Sequence, residues 1–182
     1  DHSDIFSDDL RLLGCDASCQ AILLAKRSAS DITNIEYREA LAEDLNQTSQ
    51  SFDLVLLIHV LEHVPDMLKL IHEASKMAKI IYINVPIEAT PLYSLRPGVF
   101  AAQFRRFGHI HFFDEAFFRE FLEANNYKVL HSGYSYDYLG QSFSVARIIF
   151  RPMRSFASLV FGPSFSNALF GGISSTFLVQ AP

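Results

Sequence analysis

The chain has no tryptophan and only two cysteines, Cys15 and Cys19, four positions apart. Two such residues do not make a disulfide framework, and reduced thiols in a cytoplasmic protein are the expectation. No apolar run reaches the ~18 residues that a membrane span needs, and no secretory signal opens the sequence, although the chain starts abruptly at Asp1. Charge is scarce too. Charged residues are 19% and hydrophobic ones 49%, which excludes a disordered polyelectrolyte and predicts one folded domain over the 182 residues. The net charge of −5 argues against an electrostatically gripped nucleic acid as partner.

Acid is missing altogether from the last quarter. All twenty acids lie at or before Asp137, with twelve of the fifteen basic residues, leaving Arg147, Arg151 and Arg154 as the only charged side chains beyond it. That tail is apolar and mildly basic.

The most informative stretch is Ser51-Phe-Asp-Leu-Val-Leu-Leu-Ile-His-Val-Leu-Glu-His-Val-Pro-Asp66. Phe52 to Ile58 has the composition of a strand buried on both faces. It then delivers His59, Glu62 and His63 together, followed by Pro65, which suits the first turn of a helix. A buried parallel strand ending in titratable side chains places them at the carboxyl edge of an open α/β sheet, where such folds bind ligands.

Further elements alternate along the chain. Strands are expected at Leu10 to Asp16, Ile32 to Arg38, Lys79 to Val85, Tyr127 to Ser132 and Thr176 to Gln180. Helices are expected at Cys19 to Arg27, Pro65 to Met77 and Glu115 to Asn125, the second with a Met and Leu stripe and the third burying Phe117, Phe118, Phe121 and Leu122. Glu39 to Gln50 and Pro86 to His111 read as connectors, the latter long enough for a lid or binding loop. The alternation predicts an α/β fold with a mostly parallel sheet, helices on both faces and an antiparallel last strand.

Phe52-Asp-Leu-Val with His59-Val-Leu-Glu-His-Val-Pro-Asp66 resembles the fourth strand and following loop of the S-adenosylmethionine-dependent methyltransferases of Rossmann-like, class I fold. Gly14-Cys-Asp-Ala-Ser18, the strand ending at Pro86 and Gly108-His-Ile-His-Phe-Phe113 follow the family's order. The resemblance implies that Asp16, with Ala17 beside it, meets the cofactor ribose, a carboxylate being a two-oxygen acceptor matched to a vicinal diol. The competing reading has Asp16 and Ser18 merely capping the next helix. An acid reading the adenine amino group belongs near Leu41, and Glu39, Glu43 or Asp44 stand in for it. His59 also lies against the cofactor in this reading.

The same resemblance implies transfer of a methyl group to an oxygen or nitrogen of a small molecule. His59 is the first candidate for the base, His63, His109 and His111 are the runners-up, and Glu62 is expected to orient one of them. The acceptor contacts are expected from Tyr93, Arg96, Arg105, Arg106, His109 and His111, and the arginines suit an anionic acceptor. Residues 133–175 read as an insertion before the last strand, fit to roof the site, to pair two subunits or, less readily, to lie on an anionic membrane surface. The family's glycine-rich turn is absent upstream of Asp16, since the eight glycines are at 14, 98, 108, 133, 140, 162, 171 and 172.

Two other readings compete. His59-x-x-Glu62-His63 is also a zinc-peptidase signature, but that signature needs one helix to present both histidines, and the strand-like run before it and Pro65 after it leave little room. No metal is therefore expected. A non-catalytic subunit using the apolar tail to bind a partner is the other.

Overall fold

The computed structural model describes residues 10–30, 32–46, 51–135, 153, 155–162, 166, 169 and 173–182. They fall into two compact units, Asp1–Gln50 and Ser51–Pro182.

In the first unit β1 (Leu12–Asp16) pairs in parallel with β2 (Ile35–Glu39), from Leu12↔Ile35 to Asp16↔Glu39. A parallel pair requires a crossover, and α1 (Cys19–Ser28) supplies it, burying Ile22. Ser18 is the N-cap, its Oγ accepting the Ala21 N–H at 3.3 Å, while Lys26 and Arg27 complement the dipole in the last turn. A short α2 (Ala42–Asn46) occupies the expected connector.

The second unit contains a four-stranded sheet in the order β3 (Val55–Ile58), β4 (Ile80–Ile87), β6 (Ile173–Gln180), β5 (Lys128–Ser135). β3 and β4 are parallel; β6 is antiparallel to both β4 and β5. The expected antiparallel last strand is therefore present. α3 (Met67–Met77) and α6 (Glu115–Ala124) bring Ile71, Ala74, Phe118 and Leu122 into a core with Leu57, Ile81, Ile83, Val85, Phe177 and Val179. Phe118 is fully buried, with its ring edge-on to Phe113 at 5.0 Å and to Phe177 at 5.3 Å between centroids.

Several expectations are corrected. β3 is not buried on both faces: Leu57 is 7% exposed but Leu56 is 51% exposed, with Leu54 and Ile58 similar, because one face of the strand is left uncovered; among the described residues it pairs with β4 alone. Pro65 stands before the helix rather than in it. Asp66 is the N-cap, its Oδ1 accepting the Lys69 N–H at 2.9 Å. β4 runs through Pro86 to Ile87, since its ladder with β6 continues through Pro86↔Ser174 and Ile87↔Ile173. Pro86 lies beyond the residues paired with β3, an edge-like place that tolerates a missing N–H. Phe117 is exposed, 100° round the helix from Phe118, at the rim of the face that Phe118 and Leu122 bury.

The connector from Pro86 to His111 holds two helices, α4 (Pro91–Ser94) and α5 (Val99–Phe107), the latter ended by Gly108 in the left-handed conformation. β5 reaches Ser135 and β6 starts at Ile173, both inside the bounds 133–175 expected of the insertion. Its arginines, Arg147, Arg151 and Arg154, lie outside the described residues. Residues 155–161 are helical and expose Phe156, Leu159 and Phe161. Among the described residues no helix is long and apolar enough to cross a membrane.

Candidate active site

The ladder of β3 and β4 ends at Ile58↔Asn84, with one further bond from the His59 N–H to the Asn84 carbonyl at 3.0 Å. His59 then turns the chain out of the strand at φ 52°, a left-handed conformation uncommon for a residue with a Cβ. Such outliers persist where the surroundings over-determine them, and they cluster at functional sites. The surroundings here are specific. His59 Nδ1 lies 3.0 Å from Glu62 Oε1, and Nε2 lies 3.2 Å from Ser174 Oγ on β6.

Glu62 is 1% exposed, so its carboxylate depends on its few partners. One oxygen meets His59 and stands 4.0 Å from His63 Nε2; the other has no hydrogen-bond partner. The Glu62 carbonyl accepts the N–H groups of Ile110 and His111 at 2.8 and 3.3 Å. His111 Nε2 lies 2.9 Å from the Val64 carbonyl, and His63 Nδ1 lies 3.4 Å from the Gly108 carbonyl. The turn after β3 and the segment after α5 are thus stitched together, which brings His59, Glu62 and His63 of the one beside His109 and His111 of the other.

Glu88, buried just beyond β4, gathers the acceptor-side residues. Its Oε2 lies 2.9 Å from His109 Nδ1, and its Oε1 accepts from Tyr93 Oη at 3.3 Å and from Gln103 Nε2. Burial first, and the Glu88 carboxylate second, push the Tyr93 phenol far above its usual range, so it remains a donor. Tyr93 and His109 are accordingly structural anchors of the segment as well as candidate contacts. The Arg96 guanidinium lies 5.3 Å from the Tyr93 ring centre, and Arg106 lies 4.9 Å from that of Phe107. Arg105 and Arg106 are exposed in the last turn of α5, where cations suit the helix dipole.

In the first unit Asp16 ends β1 with its side chain exposed, Oδ1 accepting the Ser18 N–H at 2.7 Å. Ser18, not Asp16, caps the helix. Asp44 Oδ2 accepts the Leu41 N–H at 3.1 Å, closing the start of α2. Ala17 is exposed in the turn after β1, and Glu43 lies in the first turn of α2.

Sequence reasoning left out Glu88, Gln103 and Ser174 as site residues. Glu88 carried a signal, an acid directly after an apolar strand; Ser174, within a polar-apolar strand 115 residues from His59, carried none.

A family model for a methyltransferase domain matches residues 8–132. The chain belongs to the S-adenosylmethionine-dependent methyltransferases of Rossmann-like, class I fold. Two curated ubiquinone biosynthesis O-methyltransferases are similar to it over short spans. That of Sinorhizobium fredii is 42% identical over 57 residues, 31% of this chain and 23% of its own; that of Brucella anthropi is 38% identical over 69 residues, 37% and 28%. These matches span only about a quarter of the curated relatives' length. Among solved structures, the N-methyltransferase NodS of Bradyrhizobium japonicum superposes with a TM-score of 0.53 at 16% identity, over 94% of this chain and 74% of that one. A methyltransferase of Bacillus halodurans gives 0.60 at 11% identity, over 95% and 84%.

The family's cofactor is S-adenosylmethionine, and NodS has also been solved with S-adenosylhomocysteine. The methyltransferase residues present fit such a ligand in one respect: Asp16 offers an exposed carboxylate at the carboxyl end of a parallel strand, with one oxygen already fixed by the Ser18 amide.

Proposed function

We propose that the protein transfers a methyl group from S-adenosylmethionine to a hydroxyl oxygen of a small molecule in the cytoplasm. The observation that carries the reading is the His59–Glu62 pair, held at the end of β3 by a left-handed backbone. The oxygen acceptor is favoured over nitrogen because both curated relatives are O-methyltransferases.

When bound, the cofactor supplies an already activated methyl group. The chain's own work is then to hold the acceptor in line and to take its proton. His59 takes that proton at Nε2, displacing its contact with Ser174, while Glu62 fixes the ring through Nδ1 and stabilises the imidazolium that forms. Asp16 accepts hydrogen bonds from the ribose hydroxyls, with Ala17 beside it and Glu43 or Asp44 toward the adenine. Arg96, Arg105, Arg106 and His111 bind the acceptor, and an anionic group suits the three guanidinium ions.

The test is a calorimetric titration of S-adenosylhomocysteine into the whole protein, followed by transfer of labelled methyl to a panel of phenols, hydroxy acids and amines. Micromolar binding with labelling of hydroxyl compounds is expected. Absence of binding by the folded protein overturns the reading in favour of a non-catalytic, partner-binding subunit, and labelling confined to amines overturns the choice of oxygen.

A further inference from the structure

We infer that Glu62, His63 and His109 form a binding site for one divalent transition-metal ion of the zinc class, with Glu88 orienting His109. One ligand atom from each of the three lies within 4.8 Å of the others. The two imidazole rings stand edge to face at 73°, with centroids 5.1 Å apart.

The ring contacts leave the right atoms available. Glu88 engages His109 at Nδ1 and the Gly108 carbonyl lies nearest His63 at Nδ1, so each ring retains Nε2 as its ligand atom. A histidine whose second nitrogen is held by a buried carboxylate is common around metals, since that contact fixes the tautomer and raises ligand basicity. Glu62 supplies the third donor. Its Oε1 lies 4.0 Å from His63 Nε2 and also meets His59, while its Oε2 is buried with no hydrogen-bond partner, an unfavourable state for a charged group that a nearby cation would relieve.

Two imidazoles and one carboxylate make the donor set of open zinc sites and of related transition metals, whereas magnesium and calcium prefer oxygen alone. Metal–ligand bonds of ~2.0 to 2.2 Å in a tetrahedron need donors about 3.5 Å apart, so a closure of roughly 1 Å completes the set. His63, 40% exposed at its side chain, has room to make that movement. It also leaves the fourth position open to water or another oxygen ligand.

The ligand set differs from the one that the H-x-x-E-H spacing implies. His59 stands outside it, engaged by Glu62 and Ser174, and the second histidine comes instead from the segment after α5. The bound ion would tie that segment to the turn after β3. Although Glu62 is shared with the proposed methyl-transfer site, metal uptake is read without turnover, so failure of either reading is distinguishable from failure of the other.

The experiment strips the whole protein with a chelator, then adds Zn2+ for stoichiometry by elemental analysis and Co2+ for its visible absorption. One equivalent of zinc is expected, with a Co2+ spectrum of low-symmetry, four- or five-coordinate type. His63→Ala and His109→Ala should each weaken uptake by at least ten-fold, and Glu88→Gln by roughly ten- to hundred-fold. The exposed His72 serves as control, His72→Ala retaining full uptake. His63 is exposed enough that its removal leaves the fold intact, checked by circular dichroism. Less than a tenth of an equivalent of metal in the folded protein, or uptake unchanged in both His63→Ala and His109→Ala, overturns the assignment.

Discussion

His59 and Glu62 meet at 3.0 Å, Nδ1 to Oε1, across a single turn whose first residue sits at φ 52°. A buried carboxylate that holds an imidazole by one nitrogen fixes the direction of the other, here toward Ser174 Oγ, an arrangement suited to a histidine that takes a proton in a fixed direction. Removing the ring while keeping the turn separates chemistry from architecture. His59→Asn, a residue that tolerates the left-handed region, should lower kcat by ~10²- to 10⁴-fold with little change in KM. Steady-state kinetics beside a thermal melt decide the matter; an unchanged kcat removes the base role.

The ribose assignment rests on a different residue. Asp16→Ala should weaken S-adenosylhomocysteine by ~1 to 3 kcal/mol, the range for leaving polar partners unpaired, and calorimetry reads it directly. Because Asp16 is exposed and does not cap α1, the variant should fold. Unchanged affinity would exclude the contact.

Two residues upstream, Gly14 faces Tyr37 across the β1–β2 pair, and a Cβ there would stand 2.8 Å from the ring. Gly14→Ala should therefore cost ~1 to 3 kcal/mol by overpacking. Combining it with Tyr37→Ser should recover part of the loss, a coupling that a double-mutant cycle in urea would quantify. Strict additivity would mean that the close approach has no energetic weight.

Cys19 offers a test by pH. A hydrogen bond with Glu39 is the main cause raising its thiol above the usual value, and the nearby negative charge adds to it. A raised pKa means less thiolate at any given pH below it, so alkylation should be slow near neutrality and rise only at higher pH than for a free cysteine. Glu39→Gln should move that rise to lower pH. Mass-spectrometric mapping distinguishes Cys19 from Cys15, and a Cys19 profile that Glu39→Gln leaves in place would remove the carboxylate as the cause.

The core of the second unit should be least forgiving at Phe118, whose ring meets Phe113, Phe121 and Phe177. Phe118→Ala should cost ~3 to 5 kcal/mol, read as a lowered denaturant midpoint. Phe117→Ala, at an exposed neighbour, should cost far less.

Much of this was legible in the residues because local rules and packing agree there. Asp114 announces a helix start, and Ile71, Ala74 and Met77 fall on one stripe. The order of His59, Glu62 and His63 after an apolar run likewise located the turn. What was illegible depends on contacts remote in sequence. Nothing in Ile173-Ser174-Ser175 shows that Ser174 meets His59, and which face of β3 is covered depends on packing that composition does not encode. Similarly, α4 and α5 escaped notice because Pro, Gly and Arg punctuate them into short pieces, and only the buried Glu88 and its donors show what fastens them.

β6 lies between β4 and β5, matched over eight partners on one side and seven on the other. β4 and β5 have no ladder of their own, so the sheet is continuous only through residues 173–180. On the ribosome, therefore, the strand carrying Glu88 at its end and the strand from Lys128 must wait unjoined until the keystone between them has been synthesised. Folding of this unit is then a late event dominated by distant pairings, slow by its topology, and a stop codon just before Ile173 would leave two disconnected hydrophobic edges in place of one sheet.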